Sequence, residues 1–105
     1  MPKNKPPMDS SHELERIFAD ITDYREMTAL FEELFTPREL NDLTLRWQLL
    51  KDLYAGQTQR NIALNYRISL CKITRGSKVL KKQGSTIRKI LDSHYRKPHT
   101  PDGND

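Results

Sequence analysis

The 105-residue chain has length for one small domain, and with 35% hydrophobic residues it would bury only a thin core as a monomer. No apolar run approaches bilayer-spanning length, Met1-Pro2-Lys3-Asn4-Lys5-Pro6-Pro7 lacks the apolar stretch of a signal peptide, and the single Cys71 excludes an internal disulfide and a thiolate metal site, so a cytoplasmic protein is expected. Net charge is +4 but unevenly spread: residues 1–57 carry 7 Lys and Arg against 11 Asp and Glu, and residues 58–105 carry 11 against 3. A basic second half points to nucleic acid, because Lys and Arg displace counterions from phosphates; a basic solvated face without a partner fits the charge alone.

In chain order, residues 1–9 predict a disordered arm. Ser10 to Glu13 fits a capping box, and Leu14, Ile17, Phe18, Ile21 and Tyr24 follow at helical spacing. Leu30, Phe31, Leu34 and Phe35 form a second apolar stripe. Thr36-Pro37-Arg38-Glu39 is a strong helix start, with Thr to cap, Pro at the first helical position and Glu at the third. A long helix is predicted from there to about Ala55. One face carries Leu40, Leu43, Trp47, Leu50 and Tyr54, and Leu45, Leu49 and Leu53 widen the apolar surface. A helix this apolar is buried on more than one side, which in so small a chain calls for a second subunit. Gly56 ends it as a C-terminal cap.

Thr58 then caps a short helix containing Ile62, Ala63 and Tyr66, and after Arg67-Ile68 the hydroxyl of Ser69 caps the next. That helix is predicted to bury Leu70, Ile73 and Leu80. Gly76 lies within it, where a glycine costs about 1 kcal/mol against alanine. The cost is tolerable where something must approach the backbone closely, and the adjacent Arg75 can hold an anion, so a ligand pocket behind this helix is one reading and a kinked surface helix the other. Gly84-Ser85 separates a last helix carrying Ile87, Ile90, Leu91 and His94, and 96–105 reads as a disordered tail.

Gln59 to Arg75 has the layout of a helix-turn-helix, with Ala63 permitting close crossing and Ile62, Ile68 and Ile73 filling the space between. Basic residues at 60, 67, 72, 75 and 78 strengthen it. Here the chain resembles the tryptophan repressor family, from about Leu34 to Lys81. The resemblance is anchored by Thr36-Pro37, Arg46, Leu53, Gly56, Thr58-Gln59-Arg60 and above all Ile73-Thr74-Arg75-Gly76-Ser77 with Leu80-Lys81. It implies an all-α fold of six helices per chain in an intertwined homodimer, with residues 10–95 as the dimerisation and DNA-binding domain and the helix-turn-helix at about 58–81. It also implies a tryptophan-dependent transcriptional repressor that binds double-stranded operator DNA with L-tryptophan as corepressor. Carried over by position, Arg46 and Arg75 sandwich the indole, Arg75 pairs with the carboxylate, carbonyls near Phe35 and Thr36 receive the ammonium, and Gly76 leaves room for the ring. A planar guanidinium suits both stacking and carboxylate pairing. The matching DNA-contact positions are Gln59, Arg60, Leu70, Cys71, Lys72 and Thr74, some acting through backbone amides.

Three departures from the family pattern fall at the site. Arg67 stands where members usually carry Gly, so the backbone there must avoid or tolerate a positive φ, which is unusual for a non-Gly residue. The Gly56-Gln57-Thr58 connection is one residue shorter than the common pattern. Val79 replaces a small polar residue that often helps receive the ligand's ammonium. The alternatives are a constitutive, ligand-independent helix-turn-helix regulator and a helical dimer used for protein association. An enzyme is not expected: His12, His94 and His99 lie at the ends, and no phosphate loop or metal-ligand spacing is present.

Overall fold

Side-chain caps set most of the boundaries in this fold. A computed structural model describes residues 8–95, and among these the chain forms six helices and no strand. They are α1 (Met8–Asp20), α2 (Tyr24–Leu34), α3 (Pro37–Tyr54), α4 (Gln59–Tyr66), α5 (Leu70–Lys81) and α6 (Thr86–Tyr95). The all-α class is as the sequence predicts; the expected tail at 96–105 and the first seven residues of the arm expected at 1–9 lie outside the described residues, while Met8 and Asp9, expected in that arm, are helical. No helix among the described residues is long and apolar enough to cross a membrane.

The start of the chain departs from expectation in two places. Helix α1 begins at Met8, so Ser10 lies within the first turns rather than capping them, and Asp9 supplies the first-turn carboxylate that suits the helix dipole. The helix also stops at Asp20, leaving Ile21 outside it and Tyr24 at the head of α2, 82% exposed. The physical cause is Asp23, whose side chain accepts from the Arg25 backbone N–H at 3.2 Å and caps α2. An Asp followed three residues later by Glu26 is itself a start signal.

The α3 start is the capping box read from Thr36 and Glu39. The Thr36 N–H donates to Glu39 Oε1 at 2.9 Å, and the Glu39 N–H donates to Thr36 Oγ1 at 3.1 Å. At the other end Gly56 has φ +99, with the Gly56 N–H donating to Leu53 O at 3.1 Å and the Gln57 N–H to Asp52 O at 2.9 Å. These are the paired bonds of a Schellman ending, which need a residue free to adopt positive φ. Thr58, Ser69 and Ser85 cap α4, α5 and α6 by accepting from the N–H groups of Asn61, Lys72 and Arg88.

The chain divides after Asn41 into two compact units. Among the described residues of the first, no side chain is buried: Phe18 and Phe31 meet at 5.7 Å between ring centroids, Phe31 and Phe35 at 5.4 Å, while Leu14, Ile17 and Leu34 stay exposed. The second holds the core, formed by Leu49, Leu50, Ile62, Ile73, Leu80 and Leu91, with Trp47, Leu53, Tyr54, Ala63, Ile68 and Ile87 packed against it. Each fully buried aliphatic side chain contributes about 1.5–3 kcal/mol. Polar pins add geometry. The Tyr66 hydroxyl donates to Asp52 Oδ2 at 2.8 Å, joining α4 to α3, and the Tyr54 hydroxyl donates to Asp92 Oδ1 at 2.6 Å, joining α3 to α6. On α5 the buried stripe is Ile73, Gly76 and Leu80. Leu70 is 56% exposed, against the expectation that it would be buried, because it opens the helix one turn before the stripe meets α3 and α4.

Candidate functional site

Helical spacing gathers chemically distinct side chains around one cavity in the second unit. On α3, Asp42 and Arg46 stand one turn apart; on α5, Lys72, Arg75, Gly76 and Val79 follow at i, i+3, i+4 and i+7, one continuous face. These two faces, with Ile68 from the turn and Ile87 from α6, line a cavity of about 240 Å³. Leu45, Leu49, Leu50, Ile68, Val79 and Ile87 make its apolar wall. The four charged residues, Asp42, Arg46, Lys72 and Arg75, are all exposed, so the charges face solvent at the mouth. Among the described residues none of these four makes a side-chain hydrogen bond or ion pair. The volume lies below the roughly 300–1,000 Å³ typical of drug-sized sites, and suits a small ligand with one apolar and one charged end.

Of the residues the resemblance assigns to a ligand, Arg46, Arg75, Gly76 and Val79 come together here. Phe35 and Thr36 belong to the first unit and do not line this cavity. Their backbones serve helix ends: the Phe35 N–H donates to Phe31 O at 3.0 Å, and Thr36 O accepts from the Leu40 N–H at 2.9 Å. Gly76 has a further reason to be glycine. A Cβ there would lie 2.9 Å from Leu49 Cδ1, 3.3 Å from Leu53 Cδ1 and 3.4 Å from Leu50 Cδ2. The group that approaches its backbone closely is therefore the leucine face of α3, where the sequence by itself allows either a ligand or a kinked surface helix. Asp42 and Leu45 are lining residues that the sequence reading passed over. The available signal for Asp42 was its place four residues before Arg46 on a helix already recognised.

The neighbouring face of α5 presents Leu70, Cys71, Thr74 and Lys78 along a shallow groove, and Arg75 and Val79 border both this groove and the cavity. Cys71 is a free, exposed thiol. Lys72 is exposed on the cavity side, and Arg60 is exposed near the start of α4. Gln59 and Thr74 are half-buried and engage each other, the Thr74 hydroxyl donating to Gln59 Oε1 at 3.1 Å, which ties the start of α4 to the middle of α5. Arg67, between the helices, has φ 54 and ψ 45, so the turn keeps its left-handed residue without a glycine. No acidic residue occurs between Asp52 and Asp92, and the α4–α5 segment is accordingly a continuous source of positive potential.

Comparison with known proteins agrees with this architecture. The family described as "Trp repressor protein" matches residues 10–95. Two curated relatives, each named "Trp operon repressor homolog" and coming from Chlamydia trachomatis serovars L2 and L2b, are 35% identical over 63 residues, which is 59% of this chain and 67% of theirs. No solved structure matches significantly. The chain belongs to the Trp repressor protein family. Its role is accordingly that of a transcriptional repressor.

Proposed function

We propose that this repressor is a tryptophan-dependent homodimer, which binds double-stranded operator DNA through α4 and α5 acting as a helix-turn-helix and takes L-tryptophan as corepressor in the α3–α5–α6 cavity. The observation that carries the reading is the double position of Arg75, on the wall of the cavity and on the edge of the α5 groove at once. An indole fits against the leucine, isoleucine and valine wall, and the guanidinium groups of Arg46 and Arg75 supply an aromatic-stacking surface and a carboxylate partner. The exposed Leu70 and Cys71 at the start of α5 face the major groove, the long side chain of Lys72 reaches it from the cavity rim, and Arg60 meets the backbone. Gln59 and Thr74 contribute chiefly by fixing α4 against α5, since their side chains already bond to each other.

Homodimerisation is supported by the first unit, whose described residues bury no side chain although Leu14, Ile17, Phe18, Phe31 and Leu34 line α1 and α2. Regulation follows by linkage. A ligand packed against α5 strengthens DNA binding only by favouring the α5 position that DNA also favours, and DNA strengthens ligand binding by the same factor. The test is selection of duplexes from a random pool with L-tryptophan present, followed by titration of the selected duplex with and without it. Tighter binding with tryptophan is expected. Equal binding in both conditions replaces this reading with a constitutive regulator, which the apolar Val79 on the cavity wall favours, since it offers no hydrogen bond to an ammonium.

A further inference from the structure

Three of the four charged groups at the cavity mouth are cations, and an aromatic amino acid carries a cation of its own. Arg46, Lys72 and Arg75 attract a carboxylate and repel an ammonium, so by themselves they would favour an aromatic acid that lacks the amino group over the zwitterion. Val79 contributes no polar atom. The single anionic side chain on this wall, and so the one able to reverse that preference, is Asp42, one turn before Arg46 on α3, lining the same cavity and, among the described residues, held by no side-chain hydrogen bond or ion pair. Its failure to pair with Arg46 matters, because an i, i+4 arrangement on a helix allows such a pair to form.

Building on the tryptophan reading, we propose that Asp42 is the specificity residue of the cavity, accepting the ligand's ammonium and so selecting an α-amino acid over the corresponding deaminated acid. The assignment divides the ligand between two helices. The ammonium lies toward α3 at Asp42, and the carboxylate toward α5 at Arg75. An ammonium carries three donors, so Asp42 leaves room for other acceptors. It also ties recognition of the zwitterion to both walls of the cavity, whereas a deaminated acid engages the cationic groups alone.

The experiment is calorimetric titration of the full chain with L-tryptophan and with indole-3-propionic acid, which keeps the indole and carboxylate but lacks the amino group. It is run on the wild type, Asp42→Asn and Asp42→Glu. Asp42 is exposed, so unchanged helical circular dichroism is expected for both variants. Wild type should prefer tryptophan. Asp42→Asn should lose about 10- to 100-fold in tryptophan affinity, the range of one charge-assisted hydrogen bond. The same variant should bind indole-3-propionic acid as tightly as wild type or more tightly, and Asp42→Glu should retain the tryptophan preference. Equal tryptophan affinity in wild type and Asp42→Asn overturns the proposal and leaves the tryptophan reading standing. So does a wild type that prefers the deaminated acid. A wild type that binds neither compound overturns both.

Discussion

Arg75 is the charged residue at which the two surfaces of α5 meet, and its substitution separates their roles. Arg75→Ala removes the guanidinium proposed for the ligand carboxylate and should weaken tryptophan binding by about 10- to 100-fold, while salt-dependent DNA binding persists. Lys72→Ala should do the reverse in emphasis: operator affinity falls, and the log–log salt slope becomes shallower by about one phosphate contact, with a smaller loss of tryptophan affinity. Paired calorimetric and DNA titrations of the two variants check this, and equal effects on both ligands would remove the division of labour. Tyr66 offers a pH-dependent readout. Its phenol is pushed up by its hydrogen bond to the Asp52 carboxylate, then by burial and by the negative charge of Asp52. The protonated, bonded form is therefore fully retained below the ordinary phenol range, and its contribution is lost only as pH rises through the raised value. Alkaline absorbance titration should show a late tyrosinate component that disappears in Tyr66→Phe.

Among the elements, the short linkers decide more than their length suggests. Arg67 joins α4 to α5 at φ 54 and ψ 45, a conformation that crowds Cβ in any residue but glycine. Arg67→Gly relieves that crowding at some cost in unfolded-chain entropy and should raise stability by about 1 kcal/mol, visible as a higher denaturant midpoint with unchanged slope. The same substitution removes one positive charge next to α5, so operator affinity should fall as stability rises. Capping chemistry made these elements legible beforehand. Thr36 with Glu39, Thr58, Ser69 and Gly56 each act locally, through bonds to backbone groups two to four residues away, and a sequence displays such pairs directly. Asp23 obeyed the same rule with Glu26 but sat inside an apolar pattern that ran on through Ile21 and Tyr24, so the break between α1 and α2 was concealed.

For the molecule as a whole, charge and exposed apolar surface set the behaviour. On the proposed function, the acidic first half and basic second half would direct DNA to the second half of the chain, while α1 and α2 carry apolar side chains that the single chain does not bury. If a second copy covers them, thermal stability rises with protein concentration, and sedimentation gives a dimer. A melting temperature independent of concentration, together with monomeric sedimentation, would remove the dimer from the proposal. By itself, the sequence determined the helical class, the α3 and α4 boundaries and the start of α5 to within a residue, and the basic second half, because caps, periodicity and charge are properties of neighbouring residues; the Arg46, Arg75, Gly76 and Val79 set rested on the family resemblance. Tertiary structure alone decided that Leu70 is exposed, that Gly76 makes room for the leucines of α3, and that Asp42 lines the same cavity as Arg75. Periodicity identifies which residues share a helical face, but the partner of that face comes from another helix tens of residues away, and only packing brings the two together.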